Sequence, residues 1–141
     1  MTRRLLALAL LATGLDAIPA AAQDVVPVVS ARSPVTSLSS SQVADIFLGK
    51  TARFPDGTQA VPIDLDEDSP ARERFYARYT GKSPAQVKAH WSKLVFTGRG
   101  QPPRQAASSA EARKLIAENP SAIGYIDSSQ VDSSVRVLAA K

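Results

Sequence analysis

A small α/β domain, with a mixed or mostly parallel sheet flanked by about four helices, is the fold class this sequence predicts. Strand-like and helix-like segments alternate along the chain. Each helical segment opens on a Ser with Gln or Glu three residues on, or with Pro at its first position. Residues 23–141 are also long enough to bury one hydrophobic core as a single domain.

Val25-Val26-Pro27-Val28-Val29 is a β-branched run in which Pro27 removes a ladder donor, so an edge position or the first part of a strand is expected. Ser33-Pro34 and the Ser/Thr-rich stretch to Ser41 read as a loop. A first helix follows, with Ser39 and Gln42 at capping-box spacing, Val43, Ile46 and Phe47 on one face, and Gly49 as its stop. Thr51–Gln59 reads as a turn centred on Asp56-Gly57, and Ala60–Leu65 as a strand. The second helix has Ser69 as N-cap, Pro70 first, Phe75, Tyr76 and Tyr79 as its apolar side, and Gly81 as its end. The third pairs Ser83 with Gln86 and carries Val87, Trp91, Leu94 and Val95 at core spacing. Gly98–Pro103 is a loop in which Gly98 and Gly100 are expected to serve backbone conformation. Ser108 and Glu111 cap a fourth helix bearing Ala112, Leu115 and Ile116, which Asn119-Pro120 ends. Ile123–Ile126 and Val135–Leu138 are strands joined by a Ser-rich turn.

Residues 1–22 read as a secretory leader. Arg3 and Arg4 give a basic start, Leu5–Leu11 with Ala12 a compact apolar stretch, and Ala20-Ala21-Ala22 a small-residue cleavage site. The stretch is far short of the ~20 residues that cross a bilayer as a helix, so cleavage is expected, and no second apolar span follows. Thr2-Arg3-Arg4-Leu5-Leu6 fits the general or the twin-arginine route. The sequence has no Cys, which excludes a lipid-modified cysteine and disulfides and suits a core-stabilised periplasmic domain. Its 17 basic and 13 acidic residues give a net charge of +4, or +3 without Arg3, Arg4 and Asp16. The excess is scattered and lacks the aromatic interleaving of a strand-binding groove, so no nucleic-acid partner is expected.

Three segments carry a resemblance. Ser37-Leu38-Ser39 leading to Val43–Lys50 is the first, and Trp91-Ser92-Lys93 with Phe96–Gly100 and Pro102-Pro103 the second. Asn119-Pro120 with Ala122–Ile126 is the third. In order and spacing they resemble the second lobe of the phosphate-binding proteins of ABC uptake systems, which have a type II periplasmic-binding fold of two α/β lobes. The resemblance implies a single-lobe, exported, solute-binding-like protein without a cofactor. It also implies a ligand site at Ser69, Ala71 and Arg72, with Thr36 and Ser37, for phosphate or another small oxyanion.

The family holds its oxyanion at a helix N-terminus, where free N–H groups and the helix dipole favour an anion. Its Arg four residues before a Ser-Gly-Thr corresponds here to Leu65, and the Ser-Gly-Thr to Ser69-Pro70-Ala71, with Phe75 retained. The bidentate guanidinium is therefore lost, Pro70 removes an N–H, and Asp66-Glu67-Asp68 add negative charge. One such charge ~4 Å from an anion costs roughly 1 kcal/mol even in water. Asp64, Asp66, Glu67 and Asp68 offer oxygen ligands for a cation, without the ordered spacing of a calcium loop; a solvated capping loop is the commoner explanation. Arg99 and Arg104 offer a basic contact to an acidic partner, against the more usual solvated loop arginine. Trp91 is expected in the core.

Catalysis is not expected. His90, the single histidine, falls off the third helix's apolar stripe, and the sequence has no nucleophile elbow, phosphate-cradling Gly loop or His pair for a metal. Two readings remain: a solute-binding role, with a cleft completed by self-association, or a module that docks on a membrane complex, sensor or other periplasmic partner.

Overall fold

The computed structural model describes residues 24–140; the leader expected over 1–22 lies outside them. Seven strands and four α-helices follow in the order β1 (Val25–Ser30), β2 (Ser37–Leu38), α1 (Ser40–Phe47), β3 (Val61–Leu65), α2 (Pro70–Thr80), α3 (Pro84–Phe96), β4 (Arg104–Ala106), α4 (Ser109–Glu118), β5 (Ala122–Asp127), β6 (Val135–Val137) and β7 (Ala139–Ala140). The main sheet has the order β4-β3-β5-β1-β6. β3 runs parallel to β4 and β5, while β1 is antiparallel to β5 and β6, so the sheet is mixed as expected.

The caps set the helix boundaries. Ser39 and Ser83 close full capping boxes with Gln42 and Gln86, and Ser69 and Ser108 each accept from the backbone N–H three residues on. Gly49 follows α1 with φ +72, and a Cβ there would lie 2.6 Å from the Trp91 ring. The glycine thus both turns the chain and lets α3 approach it.

On β5 successive residues face opposite layers. A Cβ at Gly124 would meet Ile116 of α4, whereas the Tyr125 ring stacks on Phe75 of α2 at 3.9 Å and 5°. Phe47 of α1 packs edge-on against Phe75, Tyr76 and Tyr125. The sheet therefore lies between α4 on one face and α1 with α2 on the other.

Several expectations are corrected. Of the two places expected for Pro27, the edge is not taken: it lies in the first half of β1, an interior strand. The Pro27 carbonyl accepts from Leu138 N–H at 2.9 Å, one residue past the end of β6, so its missing N–H falls where that ladder is already running out. β5 and β6 are separated in the sheet by β1 and linked through a short 3-10 turn, Ser128–Gln130. Two short strands are not among those expected: β2, inside the loop expected up to Ser41, which pairs parallel with β7, and β4, which follows Pro102-Pro103 and forms a sheet edge. Of the α3 stripe, Val87 and Trp91 are buried and Leu94 is half-buried, but Val95 is 43% exposed. Gly98 has φ +69; Gly100 has no positive φ.

Candidate functional site

Because β3, β4 and β5 are parallel, their carboxyl ends share one edge of the sheet, and both α2 and α4 begin there. At the end of β3, Asp66 N–H donates to the Ala106 carbonyl of β4 at 3.1 Å, and Ser69 N–H turns back to the Asp66 carbonyl at 2.9 Å. The helix that the sequence singled out thus opens at the carboxyl edge. Its donors are mostly consumed. Pro70 has none, and Arg72 N–H donates to Ser69 Oγ at 3.3 Å, which leaves the N–H of Ala71. Asp66, Glu67 and Asp68 are all exposed in front of it.

Behind this turn lies a buried polar cluster. Asp64 is 2% exposed and sits in β3, where it accepts three hydrogen bonds and pairs with one cation. Tyr76 OH donates to Oδ2 at 2.6 Å, Leu65 N–H donates to Oδ1 at 2.8 Å, and Tyr125 OH also donates to Oδ1. Arg72 Nε lies 3.3 Å from Oδ1 as an ion pair without a hydrogen bond. Burial, and then the Asp64 charge, push the phenols of Tyr76 and Tyr125 far above the ordinary tyrosine range. For Arg72, burial disfavours the cation, but Asp64 and the two tyrosine oxygens outweigh it and the guanidinium is held more firmly charged than usual.

These contacts bear on two residues of the expected site. Asp64 is committed to the core and is no part of an exposed cation cluster, and no group of three or more metal-ligating side chains occurs among the described residues. Leu65 is 2% exposed in the hydrophobic core, so an Arg there would have to break the packing before reaching an anion.

Beside the cluster, α3 stands away from the α2 turn and leaves a cleft of about 450 Å³. Its wall on α3 is Lys88, Trp91, Ser92, Val95 and Phe96, spaced i, i+3, i+4, i+7 and i+8; Glu67, Arg72, Pro102 and Gln105 complete it. Trp91 is 7% exposed with its indole N–H buried and unpaired, so it is a core residue that also backs the cleft. Phe96, at the cleft mouth, is 93% exposed.

The other candidates lie elsewhere. Thr36 and Ser37 are exposed and line a shallow depression of about 190 Å³ with Phe54 and Pro55, sharing no lining residue with the cleft. Arg99 and Arg104 are exposed, and their side chains make no ion pair among the described residues. His90 is half-buried and its Nε2–H donates to the Leu48 carbonyl at 2.7 Å, which fastens α3 to the end of α1. The sequence reading missed the Asp64 cluster and Phe96. A charged residue inside a strand with Arg72 and Tyr76 on the following helix was the available signal for the first; the helix spacing that placed Val95 inside carried none for the second.

The cleft brings together the Lys88 ammonium, the Arg72 guanidinium, the Glu67 carboxylate, the Ser92 hydroxyl, the Gln105 amide and an apolar wall.

No family model and no curated protein matches the sequence. Solved structures do match the fold. One is a protein described as a phosphate ABC transporter substrate-binding protein from Clostridium perfringens, solved with bound phosphate. It is 22% identical at a TM-score of 0.67, over 82% of this chain and 44% of that one. Another is an ABC-type phosphate transport receptor from Vibrio cholerae, 18% identical at a TM-score of 0.64, over 81% of this chain and 45% of that one. The chain has the fold of one lobe of such proteins and spans less than half their length.

Proposed function

We propose that this chain is an exported, periplasmic, non-catalytic lobe of solute-binding type in which the capture of phosphate or a similar oxyanion is weakened or lost. The reading starts from neighbours whose names give phosphate as their ligand. One observation supports the second half of it: Arg72, the cation in the first turn of α2, has its Nε 3.3 Å from Asp64, so its charge is already answered by a buried carboxylate. Ala71 N–H and Lys88 remain to attract an anion, against three exposed carboxylates. Calorimetric titration with phosphate and with sulfate at low salt is expected to give dissociation constants weaker than about 1 mM for both. Micromolar affinity for either would overturn the reading.

A second reading, a module that docks on a protein partner without a small ligand, is favoured by the exposed Phe96 at the mouth of the cleft. The same titration separates the two in part, since docking requires no heat with any oxyanion.

A further inference from the structure

The cleft beside α3 carries one unpaired charge on each of two walls, of opposite sign, while the Arg72 charge that also lines it is matched by Asp64. Glu67 stands on the wall made by the β3–α2 turn, and Lys88 on the α3 wall. Both also line a smaller depression at the Pro84 end of α3, so the two charges lie at one end of the cleft. Toward the other end the lining turns apolar, with Trp91 as backing and Val95, Phe96 and Pro102 exposed. Glu67 and Lys88 form no ion pair with each other or with any other described residue.

A surface of this kind complements itself. A half-turn about an axis lying along the cleft places each wall of one copy on the opposite wall of the other. Glu67 then faces Lys88 twice, and Phe96 of each copy closes over the Pro102 side of its partner. We propose that this cleft is the interface of a two-fold homodimer. An anionic lipid surface fits less well, because the Glu67 wall would repel its headgroups. The inference goes beyond the proposed function and does not depend on it: a dimer without oxyanion affinity, or a monomer with it, separates the two.

Sedimentation velocity of the purified protein over a concentration series tests this directly. A dimer is expected, with association weakening as salt is raised. Phe96→Asp should weaken it roughly 10-fold or more while the far-ultraviolet circular dichroism stays unchanged. Glu67→Lys and Lys88→Glu should each give a monomer alone, because each sets like charges opposite one another twice. Mixed in equal amounts, those two variants should form a heterodimer, in which both contacts are again between opposite charges. A purely internal role for the two charges cannot produce that rescue. A wild-type protein that stays monomeric, a dimer indifferent to Phe96→Asp, or mixed charge variants that remain monomers would each overturn the proposal.

Discussion

Two regions a few residues apart, the Asp64 cluster and the α3 cleft, show opposite treatments of polar groups. Around Asp64 the carboxylate is buried and answered by two phenols, a backbone N–H and a guanidinium. In the cleft, Lys88, Glu67 and Phe96 are exposed, and neither charge has an ion-pair partner among the described residues. Arg72 belongs to both, lining the cleft but spending its charge on Asp64. The difference teaches which residues serve the fold and which are left for something else. Removing a partner from a closed set strands buried charge, whereas trimming an open rim strands nothing.

The largest test of that contrast is Asp64→Ala. It leaves the Arg72 cation and two buried phenols without their acceptor, and is expected to cost about 3–5 kcal/mol of stability in urea unfolding. A loss below about 1 kcal/mol would mean that the cluster is no closed set. Alkaline pH probes the same cluster less severely. Burial raises all three tyrosines above their ordinary value, Tyr79 included. A raised folded pKa gives stability that is complete below the unfolded value of about 10 and declines as pH climbs past it. Phenolate absorbance should therefore rise together with unfolding above that pH, with no earlier step from Tyr76 or Tyr125. The smallest effect belongs to the rim: Phe96→Ser should change monomer stability by less than about 0.5 kcal/mol. A larger loss would show that Phe96 packs within its own chain.

The comparison also marks how far the sequence was legible. Helices with a Ser cap and Gln, Glu or Pro behind it were placed within a residue or two, because capping is a local contact that a local pattern encodes. Pro27 left two places open because the cost of a missing donor depends on where the neighbouring ladder ends, and β6 is about a hundred residues away in sequence. β4 was hidden by its three-residue length and by the proline pair before it. At the candidate site the cap at Ser69 and its place at the sheet edge could be read, but the direction of Arg72 could not. In sequence Asp64 belongs to a run of acids; in space it belongs to Tyr125, brought to it by the pairing of β3 with β5.

The position of β1 has a consequence for the life of the chain before it is folded. Its only hydrogen-bonded neighbours in the sheet are β5 and β6, and Val25 is in register with Asp127. Val25 therefore leaves the ribosome about a hundred residues before its partner and must wait for it before β1 can be seated. Until then the half-sheet of β4, β3 and β5 has an unpaired flank on β5, and the apolar run from Val25 to Val29 stays available to anything that escorts unfolded polypeptides.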